Sequence, residues 1–196
     1  ALATTFNVIV RDTIPPAIAA HANVTAEATG PDGANVDYVS PATSDLVDGS
    51  GTATCLPAAG SLFQLGSTTV TCTAEDAAHN LAAPTTFTID VVDTTPPTID
   101  PHAAIDDVEA TGPGGATVAY DSPATHDLVD GDGTATCTPA SGSLFALGGT
   151  IVTCQAEDAA HNHAVATMFA VNVVDTTPPA IEAHDAVGPI EATGAY

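Results

Sequence analysis

Thr86-Phe-Thr-Ile-Asp-Val-Val92 alternates polar and apolar side chains with a period of two, and Thr68-Thr-Val-Thr-Cys-Thr73 does the same. Such alternation, rich in β-branched residues, predicts strands buried on one face. Turn-forming residues separate the strands. Gly30-Pro-Asp-Gly33, Asp48-Gly-Ser-Gly51 and Asp76-Ala-Ala-His-Asn80 place Gly, Asn and Asp where the backbone must reverse.

The pattern repeats. Cys55 and Cys72 recur as Cys137 and Cys154, and 31 of the 40 positions from Thr43 to Ala82 are identical to those from Thr125 to Ala164. The motif Asp-Thr-x-Pro-Pro starts at Asp12, Asp93 and Asp175. A repeat of this kind is one structural unit used more than once. The divisions are residues 12–92 and 93–174, each with about seven short strands, which argues for an antiparallel β-sandwich over a closed barrel. Residues 1–11 reproduce the closing segment of a unit, with Phe6, Val8 and Val10 at the places of Phe87, Ile89 and Val91. Residues 175–196 reproduce an opening segment. The sequence thus reads as a closing or donor strand, two complete units and an opening strand. Pro-Pro favours extended backbone, so the linkers should hold successive units in line.

Composition narrows the function. The chain carries 24 acidic residues and a single basic one, Arg11, for a formal net charge of −23. Phosphate backbones and anionic lipid surfaces repel such a polymer, which argues against nucleic-acid and membrane-surface binding. Apolar runs such as Val8-Ile9-Val10 fall far short of the roughly 20 residues that cross a bilayer, so no membrane insertion is expected. A secretion signal is either removed or outside this sequence.

The order Asp-Thr-Thr-Pro-Pro, Glu-Ala-Thr-Gly-Pro, Asp-Leu-Val-Asp-Gly-Asp-Gly, Thr-Cys-Thr-Pro-Ala-Ser-Gly-Ser, Val-Thr-Cys and Ala-Glu-Asp-Ala-Ala-x-Asn resembles the hyalin repeat (HYR) domain over nearly the whole chain. The resemblance implies an all-β fold of tandem immunoglobulin-like antiparallel β-sandwiches, here joined by Asp-Thr-x-Pro-Pro linkers. It also implies an extracellular adhesive or spacer role without catalysis. One departure stands out: His79 and His161 occupy a turn position where the family usually has Gly. Either that backbone does not need a positive φ, or histidine tolerates one at some cost.

Four cysteines allow three pairings. The repeat favours Cys55 with Cys72 and Cys137 with Cys154, and disulfides point to an oxidising, extracellular compartment. The rival, a zinc site, lacks the short Cys or His spacings that zinc sites use.

Carboxylates concentrated in turns suit calcium, a hard cation that takes six to eight oxygen ligands. If the unit is Ig-like, two of its turns share a pole with the incoming linker. That would gather Asp93, Asp127, Asp130, Asp132, Glu157 and Asp158 in the second unit. The first-unit counterparts are Asp12, Asp45, Asp48, Glu75 and Asp76, with Ser50 replacing one carboxylate and predicting a weaker site. The plain alternative is a solvated acidic surface. His126, His161 and His163 could share the same pole, but Ser44 and Leu81 break that set in the first unit. His21, His102 and His184 follow each Pro-Pro pair and are read as packing or hydrogen-bonding residues at the joint.

No Gly-x-Ser-x-Gly, His-Glu-x-x-His or phosphate-cradling loop is present, so the reading is not an enzyme. The absence of Trp disfavours a sugar-binding platform. Asn23-Val-Thr25 is the only glycosylation sequon, and its bland counterpart is an unmodified strand residue. The preferred function is the protomer of an extracellular head-to-tail filament, its partners being copies of itself and other surface or matrix components. In that reading Phe6, Val8 and Val10 add a strand to a neighbour. The alternative is a passive spacer or adhesion segment of a longer repeat protein or secreted enzyme.

Overall fold

The computed structural model describes residues 2–191, 193 and 194; Ala1, Ala192, Ala195 and Tyr196, within the two terminal segments named above, lie outside the described residues. The first unit contains β1 (Ala17–Ile18), β2 (Val24–Glu27), β3 (Ala34–Val36), β4 (Ala42–Asp45), β5 (Gly49–Thr52), β6 (Thr54–Leu56), β7 (Ser61–Phe63), β8 (Gly66–Thr73) and β9 (Thr85–Val92). The second repeats them as β10 (Thr98–Ile99), β11 (Val108–Glu109), β12 (Ala116–Val118), β13 (Ala124–Asp127), β14 (Gly131–Thr134), β15 (Thr136–Thr138), β16 (Ser143–Phe145), β17 (Gly148–Gln155) and β18 (Thr167–Val174). Each unit therefore has nine strands rather than about seven, because Gly-rich turns and prolines cut the chain into shorter pieces than alternation alone reveals. Residues 2–16 and the described residues after Val174 carry no strand, and Phe6, Val8 and Val10 stand exposed.

Each unit is a β-sandwich. One layer is the four-stranded sheet β2-β9-β8-β6, in which β2 runs parallel to β9 and the other pairs are antiparallel. The β3-β7 ladder and the three-stranded sheet β1-β4-β5 form the rest. The alternation in β9 sends Phe87, Ile89 and Val91 inward to meet Val70 and Cys72 of β8, with Ala34, Val36 and Phe63 packed against them. The second core repeats this with Phe169, Val171 and Val173 against Val152, Cys154 and Phe145. Fully burying a side chain such as Phe63 or Phe145 contributes about 2–3 kcal/mol.

Both disulfides cross-link paired strands inside these cores. Cys55 lies opposite Cys72 and Cys137 opposite Cys154 in the antiparallel registers. A second repeated device is aromatic. His21 stacks on Phe87 with ring centroids 4.0 Å apart, and Tyr38 meets Phe87 edge-on at 5.1 Å. His102, Phe169 and Tyr120 repeat the arrangement. These histidines pack within their own unit rather than at the joint between units. The Tyr38 and Tyr120 hydroxyls donate to the carbonyls of Pro57 and Pro139, tying β3 and β12 extensions to the loops after β6 and β15.

The turn histidines resolve the question raised by the sequence. His79 and His161 have φ of 65° and 68°, the left-handed region, so the backbone does adopt a positive φ and histidine occupies it. Asp76 and Asp158 support these turns by accepting the Asn80 and Asn162 N–H groups, each at 2.7 Å.

Candidate metal centre

Three loops meet at one pole of each unit: the Asp-Thr-x-Pro-Pro linker, the β4–β5 or β13–β14 turn, and the segment after β8 or β17. One carboxylate oxygen from each of Asp93, Asp127 and Asp130 lies within 4.8 Å of the other two; in the first unit the set that converges in this way is Asp12, Asp48 and Asp76, so Asp76 takes part where its counterpart Asp158 does not, and Asp45 stands outside where its counterpart Asp127 is a member.

The local geometry explains why these oxygens face one another. Asp127 Oδ1 caps its own turn, accepting the Val129 and Asp130 N–H groups at 2.7 and 2.9 Å. Asp45 does the same for Val47 and Asp48. Asp93 Oδ1 accepts the Thr95 N–H at 3.1 Å, and Asp12 Oδ1 that of Ile14 at 3.1 Å. Asp130 Oδ2 accepts the Ala159 N–H at 2.6 Å, which ties the β13–β14 turn to the segment after β17; Asp48 holds Ala77 in the same way at 2.7 Å.

Four oxygens are left over. The Oδ2 atoms of Asp12, Asp45, Asp93 and Asp127 are buried and have no hydrogen-bond partner. A buried carboxylate oxygen without a donor costs free energy unless a cation or proton satisfies it. The charges are also crowded. Desolvation, and then the neighbouring Asp127, Asp158 and Glu27 carboxylates, raise the Asp93 pKa above the ordinary carboxylate value. Burial pushes Asp158 the same way, but hydrogen bonds from Asn162 and Ala160 outweigh it and leave its pKa lowered; Asp76 behaves alike through Asn80 and Ala78. An all-oxygen, all-anionic cluster with orphaned lone pairs fits a hard divalent cation.

Not every acidic residue singled out in the sequence joins these clusters. Asp132 turns to His126, whose Nδ1 lies 2.7 Å from Asp132 Oδ1, while its Nε2 lies 3.3 Å from Asp100 Oδ2. Those two carboxylates raise the His126 pKa. Ser50, the counterpart of Asp132, therefore removes no member of the first cluster. Glu157 is engaged by His161 and lies 3.6 Å from His163, and Glu75 is engaged by His79. His126, His161 and His163 are thus divided between two sets of carboxylates: His126 with Asp132 and Asp100, His161 and His163 with Glu157.

Sequence reasoning missed the clamp beside the cluster. Glu27, at the end of β2, accepts the Thr94 N–H at 2.7 Å, the Thr94 hydroxyl at 2.8 Å and the Thr95 hydroxyl at 3.1 Å. Glu109 holds Thr176 and Thr177 in the same manner. These bonds lower both glutamate pKa values. The signal was present, since Glu27, Glu109 and Glu191 all precede Ala-Thr-Gly, but nothing local ties that motif to threonines 67 residues away. Asn162 adds a second tie, donating from Nδ2 to the Asp93 carbonyl at 3.1 Å.

Hyalin of Strongylocentrotus purpuratus is 34% identical over 182 residues, which cover 90% of this chain and 15% of that protein. Hyalin of Lytechinus variegatus is 38% identical over 192 residues, covering 90% of this chain and 34% of that one. The chain therefore spans about a third or less of the length of these curated relatives. Among solved structures, extracellular cadherin domains 1–4 of protocadherin gamma B7 align over 82% of this chain and 51% of that one, at 13% identity and a TM-score of 0.36. The HYR domain matches residues 11–91 and 92–173, and the chain belongs to the HYR domain family as two tandem units.

Proposed function

We propose that this chain is a structural segment of an extracellular matrix or adhesion protein, a series of HYR units stiffened by calcium bound where each linker enters its unit. One observation carries the reading: the four buried, unpartnered Oδ2 atoms of Asp12, Asp45, Asp93 and Asp127. Asp93 belongs both to the linker and to the cluster. A cation held by Asp93, Asp127 and Asp130, with Asp158 at its side, would fix the linker to the second unit, and Asp12 would serve the first unit with Asp45, Asp48 and Asp76. The disulfides support an oxidising compartment. The net charge of −23 favours cation uptake over association with nucleic acid or anionic lipid. Small-angle X-ray scattering tests the reading. Calcium should lengthen and narrow the distance distribution of the intact chain relative to chelator, and equal profiles in both would count against it.

A second reading is a filament assembled by strand addition. It is favoured by the exposure of Phe6, Val8 and Val10, which carry the same spacing as the core residues Phe87, Ile89 and Val91. Fibres seen by electron microscopy that vanish on deleting residues 1–11 would support it; short rods from both chains would not.

A further inference from the structure

The joint between the two units has an apolar contact with an asymmetry that the repeat exposes. Val129, in the β13–β14 turn of the second unit, is buried within the core cluster of the first unit, at 8% exposure. Its counterpart Val47 has the same neighbours in sequence, Asp-Leu-Val-Asp, but is 65% exposed. The opposite surface shows the converse. Ala28, which follows the clamp residue Glu27, is buried at 3%, whereas its counterpart Ala110, after Glu109, is only partly buried. Both alanines make the same backbone bond, to the carbonyls of Val92 and Val174 at 2.8 and 2.7 Å. Local folding is thus the same in the two units, and what differs is whether another unit lies against them.

We infer that the Leu46–Val47 turn is a docking surface for the base of another HYR unit, carried ahead of Asp12 as the first unit is carried ahead of Asp93. The surface is already shaped for it. Asp45 holds the Val47 and Asp48 N–H groups as Asp127 holds those of Val129 and Asp130. Asp12 already sits with Asp48 and Asp76, as Asp93 does with Asp127 and Asp130. The occupant is a unit joined through the linker rather than a free copy of the chain, for two reasons. A knob this small holds its socket only with the high effective concentration a short tether gives. A free copy would also bring its own Asp175-Thr-Thr177 linker, held by Glu109, into the space that Asp12 and Thr13 fill. The inference deepens the tandem-array reading and does not depend on calcium.

The test extends the full chain by placing a copy of residues 12–92 ahead of residue 12, so that Val92 leads into Asp12 as it does into Asp93. Methyl resonances are recorded with a soluble paramagnetic probe, in chelator, so that failure of calcium binding cannot be mistaken for failure of docking. The probe effect on Val47 should fall several-fold from its value in the two-unit chain to that of Val129. Val47→Asp should broaden the distance distribution of the extended chain and leave the melting of the two-unit chain unchanged. Val47 methyls as accessible in the extended chain as in the original, or a Val47→Asp change without effect on the extended chain, would overturn the inference.

Discussion

Thr94 donates both its backbone N–H and its hydroxyl to the Glu27 carboxylate, so the residue that leaves the first unit is fastened to the end of that unit's second strand, β2. The contact joins residues 67 apart in sequence and fixes the direction in which the chain departs toward the second unit. Replacing Glu27 with Gln keeps the size and loses the charge that strengthens these bonds. Nitrogen relaxation should show the two units of Glu27→Gln tumbling more independently than in the parent chain. The melting of each unit should change little, because the bonds lie on the surface.

The same carboxylates give the joint a pH dependence. Hydrogen bonds from Thr94 lower the Glu27 pKa below its ordinary value of 4.5, and those from Thr176 and Thr177 lower that of Glu109. A depressed folded-state pKa contributes stability that is present above the ordinary value and is lost as pH falls through the lowered one. The joint should therefore keep its rigidity at pH 6 and loosen below pH 4.5, as read by scattering in chelator. Glu27→Gln should flatten that transition.

Removing the Cys137–Cys154 bridge by a double change to Ala should destabilise the second unit by about 3 kcal/mol, as expected for a closed loop of this size. Denaturant unfolding should then separate into two transitions, with the first unit retaining its midpoint.

Gly115 and Gly131 separate two causes of glycine use. Both have positive φ, 106° and 79°. A Cβ on Gly115 would lie 1.9 Å from the Phe145 carbonyl oxygen, whereas one on Gly131 meets nothing within 4 Å. Gly131→Ala should cost about 1 kcal/mol, from the backbone conformation alone. Gly115→Ala should cost clearly more, because β12 and β16 must move apart. Equal losses in urea unfolding would show that contact with β16 is unimportant.

Much of this fold was legible because its determinants are local or repeated. The alternation in Thr86–Val92 became β9 with Phe87, Ile89 and Val91 buried, and the spacing of the cysteines matched a pair of facing strands. The candidate cluster was legible in part: Asp93, Asp127 and Asp130 do converge. Asp132 was assigned to it from its place in an acidic turn, but alternation along β14 directs its side chain to His126 on the neighbouring β13. The parallel pairing of β2 with β9 and the Glu27 clamp were not legible, since both depend on strands brought together from opposite ends of a unit. Composition and spacing carry no record of such pairs.

Calorimetric titration of the intact, oxidised chain with calcium tests the central claim most directly. Two ions should bind per chain, one at each pole, with Asp93→Asn abolishing one and Asp12→Asn the other, while Asp132→Asn leaves both. Absence of binding heat up to millimolar calcium, or binding unaffected by the Asp93 and Asp12 changes, would contradict the account.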